Sequence, residues 1–249
     1  MFAAVELLPR GTRLSRSQKA TAVQRVPLAN AFSFYRITLK QHAADLPWRR
    51  LSRLAGPLKT RLLLPDGWTP PANSGLTVFH PQKLPVIALV NAAAKAIAAQ
   101  NLPATKLRVA VIDEAGVAVN AVEQLAPSAA SLTVVTKRRE RYLHLEKQIM
   151  SRYGISLLLT AASARLCEST VLIAPDAAAV PLAYDGLLLT NTPVRRMNAT
   201  VRVSLPPVLP PGVEALRSPG IDPLLFASAL FECCANRTLE TLAMSLPPI

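Results

Sequence analysis

From about Pro81 onward two hydrophobic rhythms alternate along the chain. Val86, Leu89, Val90, Ala93, Ala94 and Ile97 recur at helical spacing behind Pro85, a residue suited to a first helical turn, and Asn101-Leu102-Pro103 ends that helix. Short apolar runs then alternate with amphipathic stretches: strand Arg108–Asp113, helix Val117–Leu125, strand Ser131–Thr136, helix Arg138–Tyr153 and strand Ile155–Thr160. The helix from Arg138 sets Tyr142, Leu145, Ile149 and Tyr153 on one stripe, with Gly154 as its stop. A helical turn at Ser163–Cys167 leads to strands Val171–Ala174 and Leu187–Thr190. The runs Val-Ala-Val-Ile, Leu-Thr-Val-Val and Val-Leu-Ile-Ala are apolar almost throughout, as strands covered on both faces are. Strands alternating with helices predict a parallel sheet with right-handed crossovers.

The flanking segments are less regular. Residues 1–33 read as a basic, weakly structured arm. Tyr35–Lys40 alternates as a strand, with Tyr35, Ile37 and Leu39 on one face. Asp45-Leu46-Pro47 opens a short helix with Asp45 as N-cap, and Arg61–Leu64 is a second short strand stopped by the turn Pro65-Asp66-Gly67. Trp68–Gly75 reads as a loop. Leu205–Pro211 is a rigid Pro-rich connector with a P-x-x-P spacing, and Asp222-Pro223 opens a last helix with Phe226, Leu230, Cys233 and Cys234 on its buried stripe. The expected class is α/β: a Rossmann-like parallel sheet with flanking helices, preceded by a smaller α+β segment. The C-terminal helix is expected to pack back on that sheet. The expected division is 1–33, 34–104 (α+β), 105–200 (Rossmann-like) and 201–249 (connector and helix).

Composition narrows the class of partner. The chain is 51% hydrophobic and 17% charged, which places it among globular proteins. Its net charge of +13 is uneven: residues 1–61 carry 12 Lys/Arg against Glu6 and Asp45, and the remainder is nearly balanced. A basic quarter attracts phosphates, so nucleic acid or another anionic partner is one expectation, and a solvated basic arm is the other. Leu84–Ala99 and Val171–Thr190, the longest apolar stretches, carry Asn91, Lys95, Asp176 and Asp185, which argues against a transmembrane span. No secretory leader is evident, and the odd set Cys167, Cys233 and Cys234 implies no disulfide framework, so a cytoplasmic location is expected. His42, His80 and His144 lack metal-ligand spacing, and no metal is expected. There is no Gly-x-Ser-x-Gly elbow and no phosphate loop of the G-x-x-x-x-G-K type.

The candidate chemistry sits at the end of the first regular strand. Leu107–Gly116 reads Leu-Arg-Val-Ala-Val-Ile-Asp-Glu-Ala-Gly, a buried strand entering a turn and then a helix. A dinucleotide-binding domain carries G-x-G-x-x-G at that place, and here Asp113, Ala115 and Ala118 fill the three glycine positions. The stretch from Leu107 to about Pro193 resembles the Rossmann domain of the shikimate dehydrogenase and glutamyl-tRNA reductase group in its order of elements. The resemblance implies an NADP 2′-phosphate near Thr136, Lys137 and Arg138, about 20 residues past the turn. It covers roughly a third of the chain.

The departures from that family point elsewhere. Asp113 and Glu114 would set two carboxylates where two phosphate charges should lie, and Ala115 adds a methyl at the closest approach. The dehydrogenases' Asn-x-Thr-x-Pro-x-Lys stretch has no counterpart, and no cysteine precedes Cys167 to match the reductases' nucleophile. Two readings of the acids stay open: they cap the next helix, or they contact the ribose hydroxyls or adenine of a ligand held differently. Lys137, Arg138, Arg139 and Arg141 form a basic cluster at a helix start, where the dipole opposes them, so either an anion or solvent neutralises them.

The expected role is a non-catalytic interaction or regulatory protein with no cofactor. Any cofactor would be NADP, at Asp113, Glu114, Ala115, Gly116, Thr136, Lys137 and Arg138. An NADP-dependent oxidoreductase and nucleic-acid binding through the basic N-terminal region are the alternatives. The last predicts salt-sensitive binding that vanishes when residues 1–33 are deleted.

Overall fold

The computed structural model describes residues 1–8, 22–28, 31–40, 46–99, 107–194 and 198–247. These form two compact units, one of Met1–Pro81 with Leu209–Leu239, the other of Gln82–Val208 with Glu240–Ile249.

The first unit is built on a four-stranded sheet among the described residues, ordered β2-β3-β1-β4, from β1 (Ala3–Leu8), β2 (Val23–Pro27), β3 (Ser33–Lys40) and β4 (Leu62–Leu63). Strand β1 runs parallel to β3 and β4, and β2 is antiparallel to β3. Ala3 and Val5 pair with Tyr35 and Ile37, so their side chains share the face that α1 (Trp48–Ala55) covers with Leu51 and Ala55. Residues 1–8 and 22–28 are thus not a loose arm, which corrects the sequence expectation. Phe2, Ala3, Ala4 and Val5 are fully buried. A strand with neighbours on both sides and both faces covered is apolar throughout rather than alternating, and so offers no period to count. The remainder of the expected arm, 9–21 and 29–30, lies outside the described residues, as do Asp45 and Asn101-Leu102-Pro103. Helix α1 starts after Pro47 without a side-chain cap.

The second unit opens with α2 (Lys83–Ala99), whose Pro85 lies in the first turn. Then follow β5 (Arg108–Ile112), α3 (Val119–Glu123), β6 (Ser131–Val135), α4 (Leu143–Tyr153), β7 (Leu157–Thr160), β8 (Val171–Ala174), β9 (Leu187–Thr190) and β10 (Thr200–Val203). The six strands form one sheet, every pairing parallel, in the order β7-β6-β5-β8-β9-β10. Counted from β5, this is the 3-2-1-4-5-6 order of doubly wound dinucleotide-binding folds. The α/β expectation therefore holds, with the mixed sheet before it. Strand β10 is an addition that sequence periodicity did not predict, since Thr200-Val-Arg-Val is only four residues of a partly buried edge.

Two crossovers are reduced. Ser163–Glu168 and Ala177–Ala179 are 3₁₀ turns. Arg139–Arg141 is also 3₁₀, so the helix expected from Arg138 begins only at Leu143. Gly154 closes α4 in the left-handed region (φ 68°), its N–H bonding to the Met150 carbonyl, as its position implied.

The chain then returns to the first unit through α5 (Pro211–Glu214) and α6 (Pro223–Cys233). Asp222 caps α6 by accepting from the Leu225 amide at 2.8 Å. Phe226 meets Phe2 and Phe34 edge-on, at 6.0 and 5.6 Å, and those two rings stack at 5.1 Å. The last helix thus packs on the N-terminal sheet and not on the parallel one. Three rings matched in shape outweigh adjacency along the chain. Among the described residues no helix is long and apolar enough to cross a membrane.

Candidate functional site

In an open parallel sheet the ligand crevice lies beyond the carboxyl ends of the strands, at the point where strand order reverses. Here that point lies between β5 and β8, and Asp113 is the residue that leaves β5. Its amide still bonds to the Val135 carbonyl at 3.0 Å, so the backbone holds register with β6 while the side chain turns inward. The Asp113 carboxylate is 1% exposed, and its Oδ2 accepts twice: from the Ala118 amide at 2.7 Å and from the Tyr142 hydroxyl at 2.6 Å. Its Oδ1 is buried with no hydrogen-bond partner among the described residues. Burial first, then the Asp113 charge and the hydrogen bond to it, push the Tyr142 phenol above its ordinary range. Tyr142 is therefore a fixed donor to a buried acceptor at every ordinary pH.

The remaining predicted residues converge on the same turn. Gly116 sits at φ +64°, its amide bonded to the Asp113 carbonyl at 3.1 Å. A Cβ there would lie 2.9 Å from both Arg138 Cβ and Arg141 Cδ, so two arginine stems cover the glycine face. Arg141 also donates to the Gly116 carbonyl at 3.2 Å. Glu114 is tied to the next loop twice: its carbonyl accepts from the Lys137 amide at 3.2 Å, and its carboxylate pairs with Lys137 Nζ at 2.5 Å. That pair is exposed at both ends and contributes little to stability. Thr136 is buried, and its hydroxyl accepts from the Arg138 amide at 3.0 Å. Arg138 lies 4.0 Å from Glu140.

The structure thus brings together Asp113, Glu114, Gly116, Thr136, Lys137 and Arg138, and Ala115 lies on the exposed crest of the same turn. The residue that sequence reasoning missed is Tyr142, counted only as part of an apolar stripe. A tyrosine on a buried stripe must place its hydroxyl on an acceptor, and that was the available signal.

A second polar group lies at the carboxyl end of β9. Thr190 is fully buried with its hydroxyl 3.3 Å from that of Thr192, and Ser204 donates to Asn191 at 2.6 Å. At the amino end of the same strand, Tyr184 donates to the Leu187 carbonyl at 3.1 Å, and burial pushes its phenol up to about 12. Gly186 is required there, because a Cβ would stand 2.4 Å from the Tyr184 hydroxyl. Among the described residues, no group of three or more His, Cys, Asp or Glu could hold a metal ion.

The second unit is, by strand order and crevice, a Rossmann-type domain of the class that binds dinucleotides. No family model and no curated protein matches the chain. Among solved structures it is similar to quinate dehydrogenase from Corynebacterium glutamicum in complex with NAD (14% identity, 96% of this chain and 98% of that one, TM-score 0.33). It is also similar to a shikimate dehydrogenase in complex with NADP+ (10% identity, 80% and 83%, TM-score 0.34). A third similar structure is L-tryptophan dehydrogenase from Nostoc punctiforme (15% identity, 96% and 78%, TM-score 0.32). At these scores the fold assignment rests on the strand order itself.

Proposed function

We propose that this chain is a non-catalytic interaction or regulatory protein, built on a dinucleotide-binding fold whose phosphate cradle is filled by its own side chains. One observation carries the reading. The Asp113 carboxylate stands on the Ala118 amide, at the helix entrance where a pyrophosphate would need a free donor. A dinucleotide would bring two negative charges beside Asp113 and Glu114, and the half-charge of a helix N-terminus cannot offset that repulsion. Gly116, the one glycine of the turn, is covered by Arg138 and Arg141 instead of facing a ligand. The residues present do not fit a pyrophosphate. The lysine and cysteine that carry catalysis in the resembled families also have no counterpart here. A fold alone assigns no reaction.

The unpaired Asp113 Oδ1 favours one second reading, a ligand that donates a hydroxyl there, as a ribose does, without delivering a phosphate. A thermal-shift titration of the whole chain at low salt with NADPH, NADP, NADH, NAD and adenosine separates these readings. No shift with any of the five is the expected result. At about 1 mM ligand, any site tighter than about 10 μM would add roughly 2.7 kcal/mol and show itself. Stabilisation by NADP and NADPH that Arg138→Ala removes would overturn the proposal in favour of an NADP-dependent oxidoreductase. Stabilisation by adenosine that Asp113→Ala removes would establish the ribose reading.

A further inference from the structure

The first unit carries a cleft of about 1160 Å³ along α1, lined by Trp48, Arg49, Arg50 and Arg53 and faced by Asn73 and Ser74. The three arginines are exposed, and none forms an ion pair among the described residues. Among the described residues no lining residue is acidic, and the first turn of α1 has no carboxylate. Arg49 and Arg53 stand one turn apart, about 6 Å along the helix axis. Arg49 and Arg50 also lie at the positive end of the helix, so the chain gathers like charge where its own dipole opposes it. An anion in the cleft relieves both repulsions.

Shape and aromatic content narrow the anion. The cavity exceeds the roughly 300–1,000 Å³ of ordinary small-ligand pockets, and one helix supplies most of its lining, as suits a segment of polymer. Trp48 lines the cleft, with Trp68 packed edge-on behind it at 6.4 Å, an aromatic wall beside a row of cations. Sequence-tolerant sites for single strands combine these two elements: cations that track phosphates and a ring on which a base stacks. We infer that this cleft binds single-stranded nucleic acid, with Arg49, Arg50 and Arg53 on successive phosphates and Trp48 against a base. The site belongs to the first unit and uses no residue of the Asp113 turn, so either proposal can fail without the other.

The test uses the whole chain and a fluorescein-labelled dT12, read by anisotropy at two salt concentrations. Three phosphate contacts on a single strand give a salt slope of about −2.1, hence about 18-fold weaker binding at about 200 mM than at about 50 mM. The double variant Arg49→Ala/Arg53→Ala keeps helix propensity and reduces the slope to about −0.7, whereas the control Lys147→Ala, on α4 of the other unit, changes nothing. Of the two tryptophans of the chain, Trp48 lines the cleft and Trp68 packs against it, so unlabelled dT12 quenches the intrinsic fluorescence of the wild type. Failure of the wild type to bind at 50 mM overturns the inference. So does binding that the double variant retains in full, which would locate it elsewhere on the basic quarter. Equal competition by heparin or by duplex DNA, without tryptophan quenching, overturns the single-strand assignment.

Discussion

Replacing Tyr142 with Phe removes one oxygen atom and tests how the turn is held. The hydroxyl is fully buried, 2.6 Å from Asp113 Oδ2, and that carboxylate has one other partner, the Ala118 amide. Hydrogen bonds to a charged group contribute about 1.5–3 kcal/mol, and an acceptor left buried keeps its full desolvation cost. Oδ1 already lacks a partner, so the truncated site would hold a buried carboxylate on a single donor. We expect Tyr142→Phe to lower unfolding free energy by about 2 kcal/mol in urea denaturation followed by far-UV circular dichroism. Tyr153→Phe, at the far end of α4 and only half-buried, should stay within about 0.5 kcal/mol of wild type. The double-mutant cycle with Asp113→Ala should give a coupling energy of about 0.5–3 kcal/mol, because the two groups act as one unit. A loss below about 0.5 kcal/mol for Tyr142→Phe, with no coupling, would refute the claim that this bond holds the turn closed.

Gly116→Ala places a Cβ at φ +64° against Arg138 and Arg141, and should cost more than Gly154→Ala, where φ is +68° and no atom lies within 4 Å. The left-handed region alone costs roughly 1–2 kcal/mol in each, so equal losses would show that the arginine stems do not cover the turn. Alkaline titration by phenolate absorbance should find Tyr142 and Tyr184 still protonated well above pH 10. For a raised folded value the associated stability is fully present below the unfolded value near 10. It fades as pH rises through the folded value, so for Tyr184 the window is about 10–12, and a flat stability across it would contradict the burial argument. Alkylation at pH 8 should modify exposed Cys167 before Cys234, whose thiol burial pushes up to about 11. Peptide mapping that found Cys234 labelled first would contradict this order.

The parallel sheet was legible because its strands other than β10 are short apolar runs between polar turns, and β5, β6, β8 and β9 stand within a residue of their expected bounds. Strand β1 was not, since Ala-Ala-Val-Glu-Leu-Leu has neither alternation nor β-branched density and gains its partners from β3 and β4 far along the chain. The acids at the fingerprint were legible as a defect, and Asp113 holds the amide of Ala118, the residue just before α3, while α3 itself has no side-chain cap. Its second bond was not legible, because whether Tyr142 reaches Asp113 depends on where the 3₁₀ turn Arg139–Arg141 sets the start of α4. The docking of α6 escaped for a related reason. Periodicity shows which face of a helix is buried, and not which of two sheets receives it.

The interleaving of the two units has a consequence for how the protein is made. The parallel-sheet unit takes its whole sheet from one continuous stretch of chain, and a ribosome delivers that stretch complete. The other unit emerges first but lacks its cover. Phe226 and the Cys234 thiol, which donates to the Ser33 carbonyl 201 residues back, arrive only after the entire parallel sheet has been synthesised. Phe2 and Phe34 must wait with their outer faces bare for that interval, a period in which exposed aromatic surface invites chaperones or aggregation. A messenger truncated after residue 208 would therefore yield a protein whose parallel sheet is complete but whose second unit lacks the Glu240 and Leu242 carbonyls that satisfy buried Asn91, and whose first sheet stays sticky.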